Sequence, residues 1–303
     1  MTSSFLEFFI MSNALLYMIT VLVWGTTWFA IKLQVDQAPA ELSIPYRHAL
    51  AGAFLVGFCF LKKIKLNIFN FRDHFFLVVL GISMFSAHYI FIYAATNHIA
   101  SGMVAVVFST VSFFNILYGI LFFKSIPSLN VIAGVLLGVL GIGIFFSPVL
   151  MNSALQAKEI NGIVLAGIGA LIFSIGSVVT RRNQSRGLDT LPCMTMATLY
   201  GTLFILIYGL IRNVQFEISS DFTYWSSLLY LAVFGTVIAF FCYLKLIRNI
   251  GGALAGYAAV LYPLVALVIS SVFEGYAWDL SSFMGISLVL FGNVLVMWKK
   301  KHA

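Results

Sequence analysis

Arg47, His48 and His88 are ionisable side chains that lie inside apolar segments of this sequence. A charge in such a segment is costly unless it is paired or hydrated, so residues of this kind are candidates for function. The arginine could hold a substrate carboxylate through two parallel hydrogen bonds, and either histidine could bind substrate or carry a proton. The alternatives are structural: Arg47 could extend to lipid headgroups or pair with Asp36 or Glu41, and His88 could bond to a neighbouring carbonyl.

Two neutral polar residues and one proline add further candidates. Asn115 and Ser177 lie in apolar segments, where they could bond to a substrate, although hydrogen bonds between helices explain them equally well. Pro263 lies in the middle of another apolar segment, where it removes one backbone hydrogen bond and kinks a helix. A break of this kind is tolerated in lipid only where the freed carbonyl faces protein or a wet cavity. Pro263 is therefore a candidate for a helix break that takes part in gating.

The segments that must position these residues are ten apolar stretches, which fill nearly the whole chain. Hydrophobic residues make up 61% of the 303 residues and charged residues 9%, and the mean hydropathy is +1.03. A spanning helix needs about 20 mostly apolar residues, and Val131 to Phe146 shows no alternation of the kind that barrel strands require. The sequence predicts an all-α integral membrane protein with ten transmembrane helices. The stretches lie at 12–33, 43–61, 75–95, 99–122, 128–147, 161–181, 191–211, 225–245, 252–272 and 280–298.

The basic residues predict the orientation. Most of the 17 Lys and Arg residues fall in every second gap between the stretches, and most of the ten acids fall on the other side. Because cytoplasmic loops are enriched in Lys and Arg, we expect both termini in the cytoplasm. The net charge of +7 then reports topology, and we predict no nucleic-acid partner. Residues 1–13 carry no cleavage site, so the first stretch is interpreted as an uncleaved span.

A shift of 151 residues superimposes the two halves of the chain without gaps. It places Gly25 on Gly176, Gly134 on Gly285, and Gly141 on Gly292. Chance is the alternative, since apolar sequences match one another easily. Each half holds five spans, an odd number, so the second half must enter the membrane from the opposite side. We therefore predict two inverted five-helix repeats, residues 1–150 (spans 1–5) and 151–303 (spans 6–10), an arrangement in which transporters bind substrate near the midplane.

Several motifs resemble those of the EamA-like branch of the drug/metabolite transporter superfamily. The opening motif is Trp24 to Lys32 (WGTTWFAIK), and the others are Pro45-Tyr46-Arg47, Ala100 to Ala105, Gly251 to Gly256, Tyr262-Pro263 and Phe273 to Tyr276. The resemblance covers the whole chain. It implies ten spans in two inverted repeats around a central cavity, which move small metabolites across the bacterial inner membrane by alternating access. Ser112 stands where the family often has proline, and the loop at 123–127 lacks its frequent glutamate.

The resemblance also places aromatic residues around the cavity. Tyrosine and tryptophan are better candidates than phenylalanine, because a buried phenol or indole needs a polar partner. The aromatic candidates for substrate binding are Trp24, Trp28, Tyr93, Tyr243, Tyr257 and Tyr262.

These features predict a secondary transporter, and no enzyme motif such as H-E-x-x-H or G-x-S-x-G is present. The ninth and tenth stretches contain no Lys or Arg, whereas relatives that carry sugar phosphates use basic residues there. We expect efflux of an amino acid or a similar neutral, zwitterionic or monoanionic metabolite. The alternatives are a channel-like facilitator, or an exchanger for nucleoside- or nucleotide-type metabolites.

Several further expectations concern coupling and partners. No Asp or Glu lies well inside a stretch, so proton coupling would require His48 or His88, and exchange or facilitated diffusion would require neither. We predict no cofactor and no bound metal. The partners are then a small-molecule substrate and the lipid bilayer, and the protein is a monomer or a weak homodimer.

Overall fold

The chain is all-helical over the residues that its computed structural model describes, which are 12–66, 69–124, 126–151, 156–215, 219, 221–255 and 258–297. No strand occurs in these ranges. We number the main helices α1 to α10, and several are composed of consecutive segments. They are α1 (Asn13–Val35), α2 (Ala40–Leu61), α3 (Phe71–Ile82, Ser83–Ala87 and His88–Thr96), α4 (Ser101–Phe108 and Val111–Phe123), α5 (Leu129–Phe145), α6 (Gln156–Ser185), α7 (Thr190–Ile211), α8 (Phe222–Tyr230, Leu231–Ile238 and Ala239–Ala255), α9 (Ala258–Phe273) and α10 (Leu280–Met297).

Seven of these helical runs are long and apolar enough to cross a membrane: α1, α2, α3, α4, α6, α7 and α8. The other three predicted spans correspond to the shorter apolar helices Leu129–Phe145, Leu261–Phe273 and Leu280–Leu295. The chain is therefore a polytopic membrane protein, and the number ten stays a prediction.

Helix ends differ from the predicted bounds wherever polar residues continue a helix. The eighth span was expected to end at 245, but α8 continues to Ala255. Polar residues such as Lys245 and Asn249 end an apolar stretch without ending a helix, since both are compatible with helical geometry. The starts are fixed by side chains: Asn70 Oδ1 accepts the Asp73 N–H at 2.9 Å, and Asp221 Oδ1 accepts the Tyr224 N–H at 2.9 Å.

Two helices contain π-helical segments, Ser83–Ala87 in α3 and Leu231–Ile238 in α8. Three side chains bond to the carbonyl five residues earlier in these segments or just after them. Ser86 donates to Gly81 at 3.3 Å and Thr236 to Leu231 at 2.9 Å, and His88 Nδ1 lies 2.9 Å from the Ser83 oxygen. Such bulges occur often at functional sites. Here the first directly precedes His88, which lines a cavity described below, and the second contains Thr236, which bonds to Arg47 in the wall of the same cavity.

Glycines bring α5 and α10 into backbone contact. A Cβ atom added at Gly141 would lie 2.7 Å from the Gly285 carbonyl oxygen, and one added at Gly292 would lie 2.5 Å from the Gly134 carbonyl oxygen. Small residues allow this approach, which stabilises helix pairs in lipid by dispersion. Neither helix of this pair lines the cavities in the described residues, so the pair supports the bundle from outside.

This contact predicts a large difference between two substitutions on the same helix. Gly141→Ala should lower the free energy of unfolding by about 1–3 kcal/mol, because the added methyl group meets backbone atoms that cannot move aside. Gly143→Ala is the matched control, since a Cβ there would meet no atom within 4 Å. Thermal unfolding of the two purified variants in detergent measures the difference. Equal midpoints would show that the α5–α10 contact is not close.

Candidate functional site

The bundle encloses a cavity of about 540 Å³, which we call the vestibule. Its wall is formed by α3, α4, α6, α7 and α8. Arg181, Gln184 and Thr190 line it near the α6–α7 connection, and Asn115 and Ser177 line it from α4 and α6. The vestibule therefore lies toward the end of the bundle that contains the α6–α7 connection.

A smaller cavity of about 80 Å³, the chamber, lies deeper in the bundle. Phe240 and Tyr243 line both cavities, so they mark the boundary between the chamber and the vestibule. The residues that we single out from the chamber wall are Trp24, Thr27, Trp28, Arg47, His88 and Tyr262. The chamber brings together candidate substrate-binding residues from α1, α2, α3 and α9, which are far apart in the sequence.

Arg47 is buried in this wall, with only 2% of its surface exposed. Its Nε donates to the Thr236 hydroxyl at 3.1 Å, and its Nη2 donates to the Tyr89 hydroxyl at 3.0 Å. The guanidinium carbon also lies 4.4 Å from the centroid of the Tyr89 ring, a cation–π contact. Nη1 has no hydrogen-bond partner among the described residues. Neither structural alternative for Arg47 is seen in the ranges that the structure describes: the side chain does not reach the bundle surface, Asp36 pairs with Lys32 at 2.5 Å, and no ion pair joins Arg47 to Glu41.

The π-helical segments hold the two groups that orient Arg47. The Thr236 hydroxyl donates its hydrogen to Leu231, so its oxygen is free to accept from Arg47 Nε. Tyr89 lies just after the π-helical segment of α3, from which only His88 separates it. Sequence reasoning missed both residues, because a threonine or tyrosine within an apolar run usually has a packing role. The only sequence signal was the position of Tyr89 next to His88.

His88 fits both interpretations of the sequence: it bonds to a neighbouring carbonyl, and it also lines the chamber. Its Nδ1 must donate to the Ser83 carbonyl, because a carbonyl oxygen only accepts. Nε2 is then an acceptor in the neutral ring, and His88 lines the chamber. His48 is also fully buried, but neither of its ring nitrogens has a partner. It packs against the Tyr89 ring at 5.1 Å between centroids and lines neither cavity in the described part of the chain.

Aromatic rings form much of the remaining chamber wall. Trp24 lies 4.8 Å from Tyr243 and 6.4 Å from Tyr262 between ring centroids. Trp28 stacks on Tyr262 at 5.9 Å and meets Phe108 at 5.2 Å. The Trp28 Nε1 is buried without a hydrogen-bond partner. The structure thus brings four of the six aromatic candidates together.

The remaining candidates lie elsewhere. Tyr93 is fully buried and donates to Gln34 Oε1 at 2.6 Å, outside the two cavity walls. Asn115 and Ser177 line the vestibule and not the chamber. Tyr257 lies outside the described residues. Pro263 lies within α9, which is helical on both sides of it, and its role in gating stays a prediction.

Hydrogen bonds join α4 and α9 at the end of the bundle opposite the vestibule. Glu274 accepts from the Ser101 N–H at 2.8 Å, from the Ser101 hydroxyl, and from the Ser270 hydroxyl at 2.9 Å. Ser270 Oγ in turn accepts the Gly102 N–H at 2.8 Å. We call these four residues the α4–α9 clamp. Along α4 the clamp lies 14 residues before Asn115, which corresponds to roughly 20 Å of helix. Sequence reasoning missed this clamp, since no spacing relates Ser101 to Glu274.

An ion-pair cluster lies on the vestibule side. Asp73 at the start of α3 accepts from Arg182 at 2.9 Å and lies 3.7 Å from Arg186, so it joins α3 to the end of α6. The Arg182 guanidinium also covers the Phe76 ring at 4.1 Å from its centroid. These contacts join α3 and α6 beside the vestibule. The vestibule and the α4–α9 clamp thus lie at opposite ends of the bundle.

Comparisons with known proteins agree with this architecture. The model of the EamA-like transporter family matches residues 11–147 and again residues 160–298. A relative named "Uncharacterized inner membrane transporter YedA", from Escherichia coli, is 27% identical over 281 residues, which are 91% of this chain and 87% of that protein. Protein PagO of Salmonella typhimurium is 25% identical over 94% of this chain and 93% of its own length.

A third relative and a solved structure extend the comparison. "Uncharacterized transporter YetK" from Bacillus subtilis is 26% identical over 92% of this chain and 84% of its own length. One crystal structure matches with a TM-score of 0.68 and 15% identity, covering 93% of this chain and 95% of that one, a likeness that shows the fold. The two family matches together span most of the sequence. The chain belongs to the EamA-like transporter family.

Proposed function

We propose that this protein is a secondary transporter that exports a small metabolite across the bacterial inner membrane by alternating access. The observation that supports the proposal is the asymmetry of the bundle: the chamber borders the vestibule on one side, and the α4–α9 clamp joins the helices at the other end, where we propose that it closes the cavity. A carrier must have a binding site that is reachable from one side at a time. The substrate we propose is an amino acid or a similar neutral, zwitterionic or monoanionic compound.

The proposal includes ten spans in two inverted repeats, residues 1–150 and 151–303. The pairs Gly134/Gly285 and Gly141/Gly292 are related by the 151-residue shift, and the contacts cross between them, with Gly141 against Gly285 and Gly134 against Gly292. Crossed contacts of this kind are expected when two copies are related by a two-fold axis. The π-helical segment Ser83–Ala87, shifted by 151 residues, falls within the second segment, Leu231–Ile238. The two family matches in sequence also support duplication.

The proposed orientation has both termini and the mouth of the vestibule in the cytoplasm. The support is the distribution of Lys and Arg, which concentrate in the α2–α3 connection and toward the ends of α6 and α8. In this orientation the clamp faces the periplasm, and the structure corresponds to a state that is open to the cytoplasm. Proton coupling through His88 or His48, and a monomeric or weakly dimeric state, belong to the same proposal.

Labelling with an impermeant thiol reagent tests the orientation. In a background without the native cysteines, Gln37→Cys in the α1–α2 connection should react in intact cells. Ser185→Cys, at the end of α6, should react only after the membrane is opened. Both positions are exposed in the structure, so accessibility alone does not separate them. The reverse pattern would contradict the orientation.

Flux measurements test the carrier function. The full-length protein is first screened by thermal shift against amino acids, monocarboxylates, nucleosides, polyamines and dicarboxylates, because ligands of the native state stabilise it. A compound that stabilises the protein should then show saturable uptake into proteoliposomes, accelerated by the same compound inside. Single-channel currents, or uptake that does not saturate, would instead indicate a channel.

A further inference from the structure

The guanidinium of Arg47 is a buried charge without a counter-ion in the part of the chain that the structure describes. Only 2% of the residue is exposed, and the ion pairs of the described ranges are Lys32–Asp36, Arg182–Asp73 and Arg186–Asp73. Its two hydrogen-bond partners, Thr236 and Tyr89, are neutral hydroxyls. Burying an unpaired charge is costly, and a partner of opposite charge reduces that cost. The charge balance at Arg47 therefore favours an anion in the chamber.

Two nitrogens of the chamber wall are donors that remain unpaired among the described residues. Arg47 Nη1 and Trp28 Nε1 are both buried without a partner there, and both side chains line the chamber. Neither nitrogen can accept a hydrogen bond. The hydroxyl hydrogens of Thr27 and Thr236 are already donated to backbone carbonyls, at 2.7 and 2.9 Å. A ligand that pairs with these two nitrogens must present acceptors, and a carboxylate presents two oxygens that can accept from a guanidinium at once.

The walls oppose a positive charge on the ligand. In the described residues no Asp or Glu lines the chamber or the vestibule, whereas Arg47 lines the first and Arg181 the second. An ammonium group would therefore find no counter-ion and would approach an uncompensated guanidinium. In an α-amino acid the ammonium lies next to the carboxylate, so the group that binds Arg47 would bring the repelled charge with it.

The remaining walls favour an apolar ligand with a single negative charge. Trp28, Tyr262 and Phe108 surround the chamber together with the aliphatic side chains of Ile92 and Val111. One guanidinium balances one negative charge, so a doubly charged phosphate would keep an excess charge among these rings. The small volume of the chamber, about 80 Å³, accommodates the head of a ligand whose body extends past Phe240 and Tyr243 into the vestibule.

We infer that the substrate class is an apolar monocarboxylate without a fixed positive charge, bound with its carboxylate at Arg47 and Trp28 and its body against the aromatic wall. This inference rests on the proposed carrier function, and it narrows the proposed range of neutral, zwitterionic and monoanionic compounds to one chemical class.

A matched series of ligands tests the inference. The probes are 3-phenylpropanoate, its amide, phenylalanine and 3-phenylpropylamine, which share a phenylpropyl skeleton and differ in charge. Their binding to the purified full-length protein is measured by calorimetry. We expect the carboxylate to bind about 10- to 100-fold more tightly than the amide, because hydrogen bonds to charged groups contribute that much. Phenylalanine should bind at least about tenfold more weakly than the carboxylate, and the amine most weakly.

Variants show whether the preference depends on Arg47. Arg47→Gln should remove the difference between carboxylate and amide, whereas Arg212→Gln, at an exposed arginine that follows α7, should keep it. Equal binding of all four probes, or tighter binding of phenylalanine or the amine, would overturn the inference.

Counterflow separates this result from the carrier proposal. If the protein prefers the carboxylate but shows only channel currents, the carrier function is contradicted and the carboxylate site at Arg47 is supported. If it exchanges amines or zwitterions and does not bind the carboxylate, the carboxylate site is contradicted and the carrier function is supported.

Discussion

Replacing Arg47 with alanine should reduce the affinity for 3-phenylpropanoate by about 100-fold, or ~3 kcal/mol, without lowering the stability of the protein. The ligand loses its charged donor, so binding collapses. The unliganded protein loses a buried charge that has no counter-ion, so the free energy of unfolding should stay the same or rise. Calorimetry on the ligand and thermal unfolding of the unliganded variant measure the two effects separately. Loss of binding without loss of stability distinguishes a binding residue from a structural one.

Two further substitutions sharpen this prediction. Arg47→Lys keeps the charge but not the fork geometry that reaches Thr236 and Tyr89 at once, so it should bind with intermediate affinity. Arg212→Ala applies the same truncation to an exposed arginine and should leave binding unchanged. If Arg47→Ala unfolds the protein while Arg47→Lys behaves like the wild type, the arginine supports the fold and our assignment is wrong.

Replacing Glu274 with glutamine should shift the protein toward a state that is open on the clamp side by about tenfold or more, because charge-assisted hydrogen bonds contribute about 1.5–3 kcal/mol. The carboxylate accepts from the Ser101 amide, the Ser101 hydroxyl and the Ser270 hydroxyl. A glutamine amide nitrogen cannot accept, so at least one of these bonds is lost. Spin labels at Asn97 and Ala277, both exposed beside the clamp, should report a new long-distance component.

Glu41→Gln is the matched control for this variant. It makes the same chemical change near the start of α2, within the first turn of that helix, but on no group of the clamp. It should keep the distance distribution of the wild type. A Glu274→Gln distribution indistinguishable from that of Glu41→Gln would show that the clamp does not hold the bundle closed.

The sequence predicted the class of the protein and much of the chamber. Its apolar segments led to the helical membrane fold, and the chamber contains Trp24, Trp28, Arg47, His88, Tyr243 and Tyr262, all of which were candidates beforehand. Intramembrane charges are rare because they are costly, so the few that occur carry information. Aromatic candidates came from the family resemblance and not from spacing.

The parts that could not be predicted depend on which helix faces meet. Thr236 accepts from Arg47 of α2 and lies in a π-helical segment, and no local pattern in the sequence predicts such a segment. Gln34 and Tyr93 are 59 residues apart in sequence and form a hydrogen bond between two helices. Ser101 and Glu274 are 173 residues apart. Contacts of this kind follow from tertiary packing, and the spacing of residues in a single sequence does not predict which helices pack together.

Accessibility of the chamber from each side of the membrane tests the central claim most directly. In a background without native cysteines, Thr27→Cys places a thiol on the chamber wall, and a small anionic thiol reagent is applied to inside-out and to right-side-out vesicles. We expect rapid labelling from the cytoplasmic face, slow labelling from the periplasmic face, and a faster periplasmic reaction when Glu274→Gln is added. Equal labelling from both faces with the clamp intact, or labelling from the periplasmic face alone, would contradict a cavity that the clamp closes on one side.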